Sequence, residues 1–245
     1  MSNALIRKLD HAGGLTDADR ATLLGACASP RPVAAGQDLT CEGDPPENVH
    51  LILRGFAYRY KILPGGKRQI TAVFVPGDFC DLHVAILQRM DHSIATLLPC
   101  EVVYLSRATV VDLTAGHPRI ARALWWATLV DEAILRAWLV NIGQREASRQ
   151  IAHLFCELHA RLDAVGLATR DNGGAAFDTP LRQTDLADLL GMTPVHVNRM
   201  LQELREAGLI VLKRRRLQIL DLARLRAFCG FDAAYLHLEN RPDRR

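Results

Sequence analysis

The 245-residue sequence predicts an α+β protein in which an N-terminal β-roll is joined by one long helix to a C-terminal winged helix-turn-helix. Three observations predict it. Between residues 31 and 106, Gly and Pro recur about every 8–12 residues and cut the chain into short β-rich runs, the spacing of a roll or barrel. From 119 to about 144 only Gly143 interrupts a helical pattern. Residues 181–220 then combine two short helices, a tight turn between them, and a hairpin carrying four consecutive cations.

Composition allows this and excludes other classes. Hydrophobic residues are 49% and charged residues 23%, an ordinary globular balance, and the formal net charge is only +3. No apolar run reaches the roughly 18 residues of a membrane helix. Residues 1–10 contain an Arg-Lys pair without a secretory apolar core, so an untargeted cytoplasmic protein with no membrane partner is expected. The six cysteines contain no C-x-x-C pair; this predicts reduced, buried thiols, no metal site and no identified cofactor. No nucleophile-base spacing, phosphate loop or H-E-x-x-H motif points to an enzyme.

In chain order, Leu5, Ile6 and Leu9 mark a first helix, and Thr16 is an N-cap before Leu23 and Leu24. The roll's turns follow at Gly36, Gly43-Asp44-Pro45-Pro46, Gly55, Pro64-Gly65-Gly66 and Pro76-Gly77-Asp78. Between them, Phe56, Tyr58, Tyr60 and Ile62 alternate with Arg59 and Lys61 as a strand does. In the long helix, Ile120, Leu124, Ala127, Asp131, Ile134, Trp138 and Ile142 form a seam, which Trp125, Leu135 and Leu139 widen. About 25 residues make about 38 Å, more than a small domain needs, so the excess apolar surface must meet the roll or a second copy. A further helix spans 146 to about 164, and 166–179 reads as loop.

The helix-turn-helix is the sharpest signal. A helix around 184–190 stops at Gly191; Thr193 caps the next, with Pro194 at its first position, and Gly208 ends it. Val197, Met200, Leu201 and Leu204 form its buried stripe, leaving Val195, His196, Asn198, Arg199 and Gln202 outward. Arg199 suits guanine O6 and N7, Val195 a thymine methyl, and Asn198 a base edge or phosphate. Lys213, Arg214, Arg215 and Arg216 then form a wing for phosphates. Residues 181–220 hold seven Lys/Arg against four Asp/Glu, so the chain's positive excess sits where double-stranded DNA would lie.

Gly36, Glu42-Gly43-Asp44, Leu51-Ile52-Leu53-Arg54-Gly55, Pro76-Gly77-Asp78-Phe79 and the Gly191, Thr193, Val197, Arg199 pattern together resemble the cyclic-AMP receptor protein/FNR (Crp/Fnr) family of bacterial regulators. The resemblance covers roughly residues 20–228. It implies a double-stranded β-helix of the cyclic-nucleotide-binding type over 1–117, a dimerisation helix over 118–145, a winged helix-turn-helix over 146–230 and a tail over 231–245. It further implies a homodimer on a palindromic operator, with RNA polymerase as a partner and an effector in the roll.

The effector residues depart from that family. Leu82 stands where a ribose-binding Glu is expected, and His92-Ser93 stands where Arg-Ser would take the phosphate. Burying a cyclic phosphate without a guanidinium is costly, so an effector other than cyclic AMP, or none, is expected. Cys80, Asp81, Leu82, His92, Ser93, Leu135 and Arg136 are the candidate pocket residues. Cys80 is the best redox candidate, and His83 and His92 are the histidines that could meet a haem iron. Val195 replaces a cytosine-reading Glu, which predicts a distinct operator. The alternative function is a cyclic-nucleotide-binding regulatory module.

Overall fold

The structure, a computed structural model, describes residues 3–82, 86–171 and 173–238. Helices α1 (Ala4–Leu9) and α2 (Asp17–Ala26) open the chain. The Thr16 N-cap is present and reciprocal: its Oγ1 accepts from the Asp19 N–H (3.2 Å), and the Asp19 carboxylate accepts from the Thr16 N–H (2.9 Å). Then come β1 (Arg31–Val33), β2 (Asp38–Thr40), β3 (Asn48–Arg54), β4 (Ala57–Ile62), β5 (Arg68–Phe74), β6 (Ser93–Thr96) and β7 (Cys100–Ser106). They form two antiparallel sheets, ordered β1-β7-β3 and β2-β6-β4-β5. Leu51, Ile52, Phe74, Ile94 and Val102 build one core from both sheets.

The Pro76-Gly77-Asp78 turn seats α1 on this roll. Gly77 has φ +94°, and a Cβ there would stand 2.7 Å from the Ala4 carbonyl oxygen, so only glycine fits.

Helix α3 (Arg107–Gly116) leads into α4 (Pro118–Gln144), 27 residues long, and α5 (Ala147–Ala164). The expected seam divides. Ile120, Leu124, Ala127, Ile134 and Trp138 are buried within the chain, whereas Ile142 is exposed and Asp131 half-buried. The residues that widen the seam face outward: Trp125 is 71% and Leu139 76% exposed, with Leu129, Leu135 and Val140 beside them. One turn-and-register choice therefore spends the 120–138 face on the chain's own core and leaves a second apolar face uncovered.

The C-terminal domain comprises α5, β8 (Thr169–Asp171), β9 (Gly174–Asp178), α6 (Gln183–Leu190), α7 (Pro194–Glu206), β10 (Ile210–Lys213), β11 (Arg216–Ile219) and α8 (Leu222–Cys229). Its antiparallel sheet has the order β10-β11-β9-β8. The stretch 166–179, expected to be loop, thus contains a hairpin. Ala175 and Phe177 point inward at period two, a signal too short to stand out among the surrounding Gly, Asn and Thr. Of the stretch expected to be a tail, residues 231–236 pack back onto this domain. Phe231 and Leu236 are buried, and the Tyr235 hydroxyl donates to Glu157 Oε2 at 2.7 Å.

Helix α5 is buried on nearly every side, and its polar residues carry partners accordingly. Arg161 bridges Asp78 of the roll (2.6 Å) and Glu157 (3.1 Å), while Lys8 closes on Asp78 at 2.5 Å. The Trp138 indole donates to Glu157 at 2.9 Å. Burial alone would raise the Asp78 carboxyl, but Lys8 and Arg161 outweigh it and hold it low; at Glu157 burial wins and the carboxyl is raised. A second link joins Arg68 of β5 to Asp188 (2.8 Å) and Asp185 (3.1 Å) on α6. Roll and C-terminal domain are thereby tied by ionic contacts at two places.

Two histidines of α5, His153 and His159, are pushed down to about 4, chiefly by burial. Both are neutral in the folded chain, whereas in the unfolded chain they protonate near pH 6.5. Their contribution to stability is full above that value and is lost as pH falls from about 6.5 towards 4, by of order 2–3 kcal/mol each. Urea midpoints measured between pH 7 and 4.5 should fall steeply, and His159→Phe should flatten the fall. A midpoint in that variant with the wild-type pH slope would contradict this assignment.

Candidate nucleic-acid interface

Helices α6 and α7 meet across a three-residue turn. Gly191 ends α6 in the left-handed conformation (φ 66°), and Thr193 Oγ1 then accepts from the His196 N–H at 3.2 Å to start α7. Pro194 sits in the first turn of α7, where its missing N–H costs nothing. Val197, Met200, Leu201 and Leu204 are the buried residues of α7, as their spacing predicts. The opposite face is free of the core. Val195 is 81% exposed, and Asn198, Arg199 and Gln202 are exposed with it, while His196 is half-buried.

These side chains are held in place. Arg199 Nη2 donates to His196 Nδ1 at 2.9 Å, and Gln183, at the start of α6, donates to Asn198 Oδ1 at 3.1 Å. Gln202 donates to Glu206 (3.0 Å). Gln183 was not anticipated from the sequence; its signal is position alone, as the first residue of the helix that precedes α7.

The wing is a two-residue hairpin. Lys213 pairs with Arg216 across β10 and β11, leaving Arg214 (φ 48°) and Arg215 (φ 66°) at the tip, both left-handed. Such a turn favours Asn-Gly, and each non-glycine residue in that region costs about 1–2 kcal/mol. Both tip arginines thus hold strained backbone positions with their side chains exposed. Arg216 differs from its neighbours, for its guanidinium is 3.2 Å from Asp178 on β9 and belongs to the sheet as much as to the tip.

Comparison with known proteins agrees with this architecture. Residues 30–117 match the model of the cyclic nucleotide-binding domain, and residues 149–228 match the Crp-like helix-turn-helix domain. The chain belongs to the Crp/Fnr family of transcriptional regulators. It is 29% identical over 205 residues to the transcriptional activator protein FnrL of Cereibacter sphaeroides, covering 83% of this chain and 81% of FnrL. It is 26% identical to the nitrogen fixation regulation protein FixK of Bradyrhizobium diazoefficiens, covering 80% of each. Among solved structures, FixK2 from Bradyrhizobium japonicum superposes with a TM-score of 0.73 at 22% identity, covering 84% of this chain and 98% of FixK2. No helix among the described residues is long and apolar enough to cross a membrane.

In this Crp/Fnr regulator the candidate effector residues separate. Cys80, Asp81 and Leu82 line a cleft between the roll and α4, together with Arg59, Phe74, Asp131 and Arg161. His92 and Ser93 do not reach it: His92 bonds Asp91 (2.6 Å), and Ser93 Oγ accepts from the Glu42 N–H (2.9 Å). Leu135 and Arg136 are exposed and do not line it either, Arg136 pairing with Glu132 at 3.1 Å. The reason is helical phase. Ala127, Asp131 and Ile134 turn toward the roll, so residues 135 and 136, about 100° and 200° further round from 134, cannot.

Asp81 is committed to His50, accepting from its N–H and meeting its Nδ1, both at 2.7 Å. Cys80 is fully buried, and burial together with Asp81 and Asp78 pushes its thiol well above the usual value, which opposes a reactive thiolate. His83 lies outside the described residues.

Proposed function

We propose that this chain acts as a homodimer on a palindromic operator, in the cytoplasm and with RNA polymerase as its partner at the promoter, and that it works without cyclic AMP. The observation that carries the DNA reading is α7 itself: capped at Thr193, packed by one stripe, and presenting Val195, Asn198 and Arg199 on the other. The uncovered Trp125, Leu129 and Leu139 face of α4 supports a second copy there. Leu82 at the cleft, in place of a ribose-binding Glu, supports independence from cyclic AMP. The domain limits taken for this reading are 117, 145 and 230; the break between α3 and α4 at His117 and that between α4 and α5 at Arg145–Glu146 support the first two.

Enrichment of bound duplexes from a random-sequence pool tests this reading, with a palindrome as the expected product. Recovery of no common sequence at moderate salt would overturn it. On the recovered operator, Arg199→Ala should cost about 1–3 kcal/mol and relax discrimination at one base pair per half-site.

The wing should show opposed effects. The double variant Arg214→Asn/Arg215→Gly should raise stability by about 1–2 kcal/mol, because the turn strain is relieved. The same variant should weaken binding to every duplex alike and reduce the salt slope by about 2. Unchanged salt dependence would remove these arginines from the interface.

A further inference from the structure

The cleft between the roll and α4 is already occupied by a side chain of this protein. Arg59 projects from β4 into it, its side chain only 8% exposed, with the guanidinium over the Phe74 ring at 5.2 Å. Its Nη2 donates to the Cys80 carbonyl oxygen and to Asp131 Oδ2, each at 3.0 Å. One side chain therefore joins β4, the 78–82 turn and α4. The free volume left in the cleft is about 20 Å³, room for a water molecule and far too little for a nucleotide. The cations there are already paired: Lys8 and Arg161 with Asp78, Arg161 also with Glu157, and Arg59 with Asp131. Among the described residues lining the cleft, no cation is therefore left without a carboxylate for an anionic ligand.

We propose that Arg59 is a built-in substitute for an effector: its bridge from the roll to Asp131 on α4 makes the connection that a small molecule would otherwise make, so that operator binding needs no ligand. The physical argument is linkage. An effector acts only by binding one arrangement of roll and helix better than another. A tethered guanidinium that already spans the two elements stabilises the joined arrangement permanently, at no cost in translational entropy. Helix α4 runs on to α5 and the C-terminal domain, so the angle it holds against the roll sets where the two copies of α7 stand on a palindrome. Arg59 is thus a positioning residue for DNA binding.

This inference rests on the regulator reading, and its test separates the two. Operator affinity of the dialysed full-length protein is measured for the wild type, Arg59→Ala, Asp131→Ala and the double variant, alongside thermal unfolding and sedimentation. Arg59→Met, which keeps the stem's bulk, serves if the alanine variant does not fold. The wild type should bind without additives, and millimolar cyclic AMP or cyclic GMP should change its affinity by less than about twofold. Each single variant should lose about tenfold or more, and the double variant should be no worse than either, since both remove one bridge.

Two results would overturn the proposal. One is a variant that melts earlier yet binds the operator as the wild type does, which would make the bridge a fold contact only. The other is a wild type whose affinity rises about tenfold or more with a cyclic nucleotide. A wild type that binds no DNA would instead take down the regulator reading, and this inference with it.

Discussion

Arg161→Leu should destabilise the protein by about 3–5 kcal/mol, the cost of removing one partner from a buried ion pair. Its guanidinium is the shared partner of Asp78 and Glu157, whose side chains are 4% and 0% exposed. Losing it leaves Lys8 alone against Asp78, and Glu157 with only the Trp138 and Tyr235 donors. Glu157 is already raised by burial, so it would take up a proton rather than stay charged. The double variant Arg161→Leu/Glu157→Leu should therefore recover part of the loss, and urea unfolding of the four-member cycle would measure it. Because Asp78 belongs to the roll and α5 to the C-terminal domain, wild type should unfold in one transition and Arg161→Leu in two. A single transition with an unchanged midpoint would mean that the network contributes little to the join.

Leu139→Asp should have the largest effect on function. The side chain is 76% exposed in the single chain and lies on the same outer face as Trp125 and Leu129. A second α4 packed there would bury it, and an unpaired carboxylate in such a seam costs several kcal/mol per copy. The variant should sediment as a monomer while its melting curve, read on the chain's own core, stays near wild type. Operator affinity should fall by about a hundredfold or more, because each half-site must then be held by one recognition helix without its partner. Leu139→Asp that remains a dimer would move the interface off this face.

Much of the architecture was legible beforehand because the signals are local. The α7 cap, its Pro194 start, the Gly191 turn and the 197, 200, 201, 204 stripe depend on residues within one or two turns of each other, and all lie where spacing puts them. The roll's glycine and proline punctuation is local as well. What spacing misjudged was weak or shared. The β8–β9 hairpin has two inward residues in a polar stretch, and residues 231–236 are held back by the burial of Phe231 and Leu236 together with the Tyr235 hydroxyl's bond to Glu157 of α5. In β4, alternation separates Tyr58 from Arg59 yet says nothing of which face carries the cleft, and both prove buried.

The sequence by itself determined the order of the domains, the helix-turn-helix and the basic hairpin after it, since each is written in short-range chemistry. Only the tertiary structure decided which face of α4 remains outside, that Leu135 and Arg136 leave the cleft, and that Arg59 and Asp131 enter it. It alone also joined Asp78 to Arg161, which stand 83 residues apart. A helix carrying apolar residues on two faces can turn either one inward. The choice is made by the roll it packs against, and a charge 72 residues away, as Asp131 is from Arg59, finds its partner only when that packing is complete.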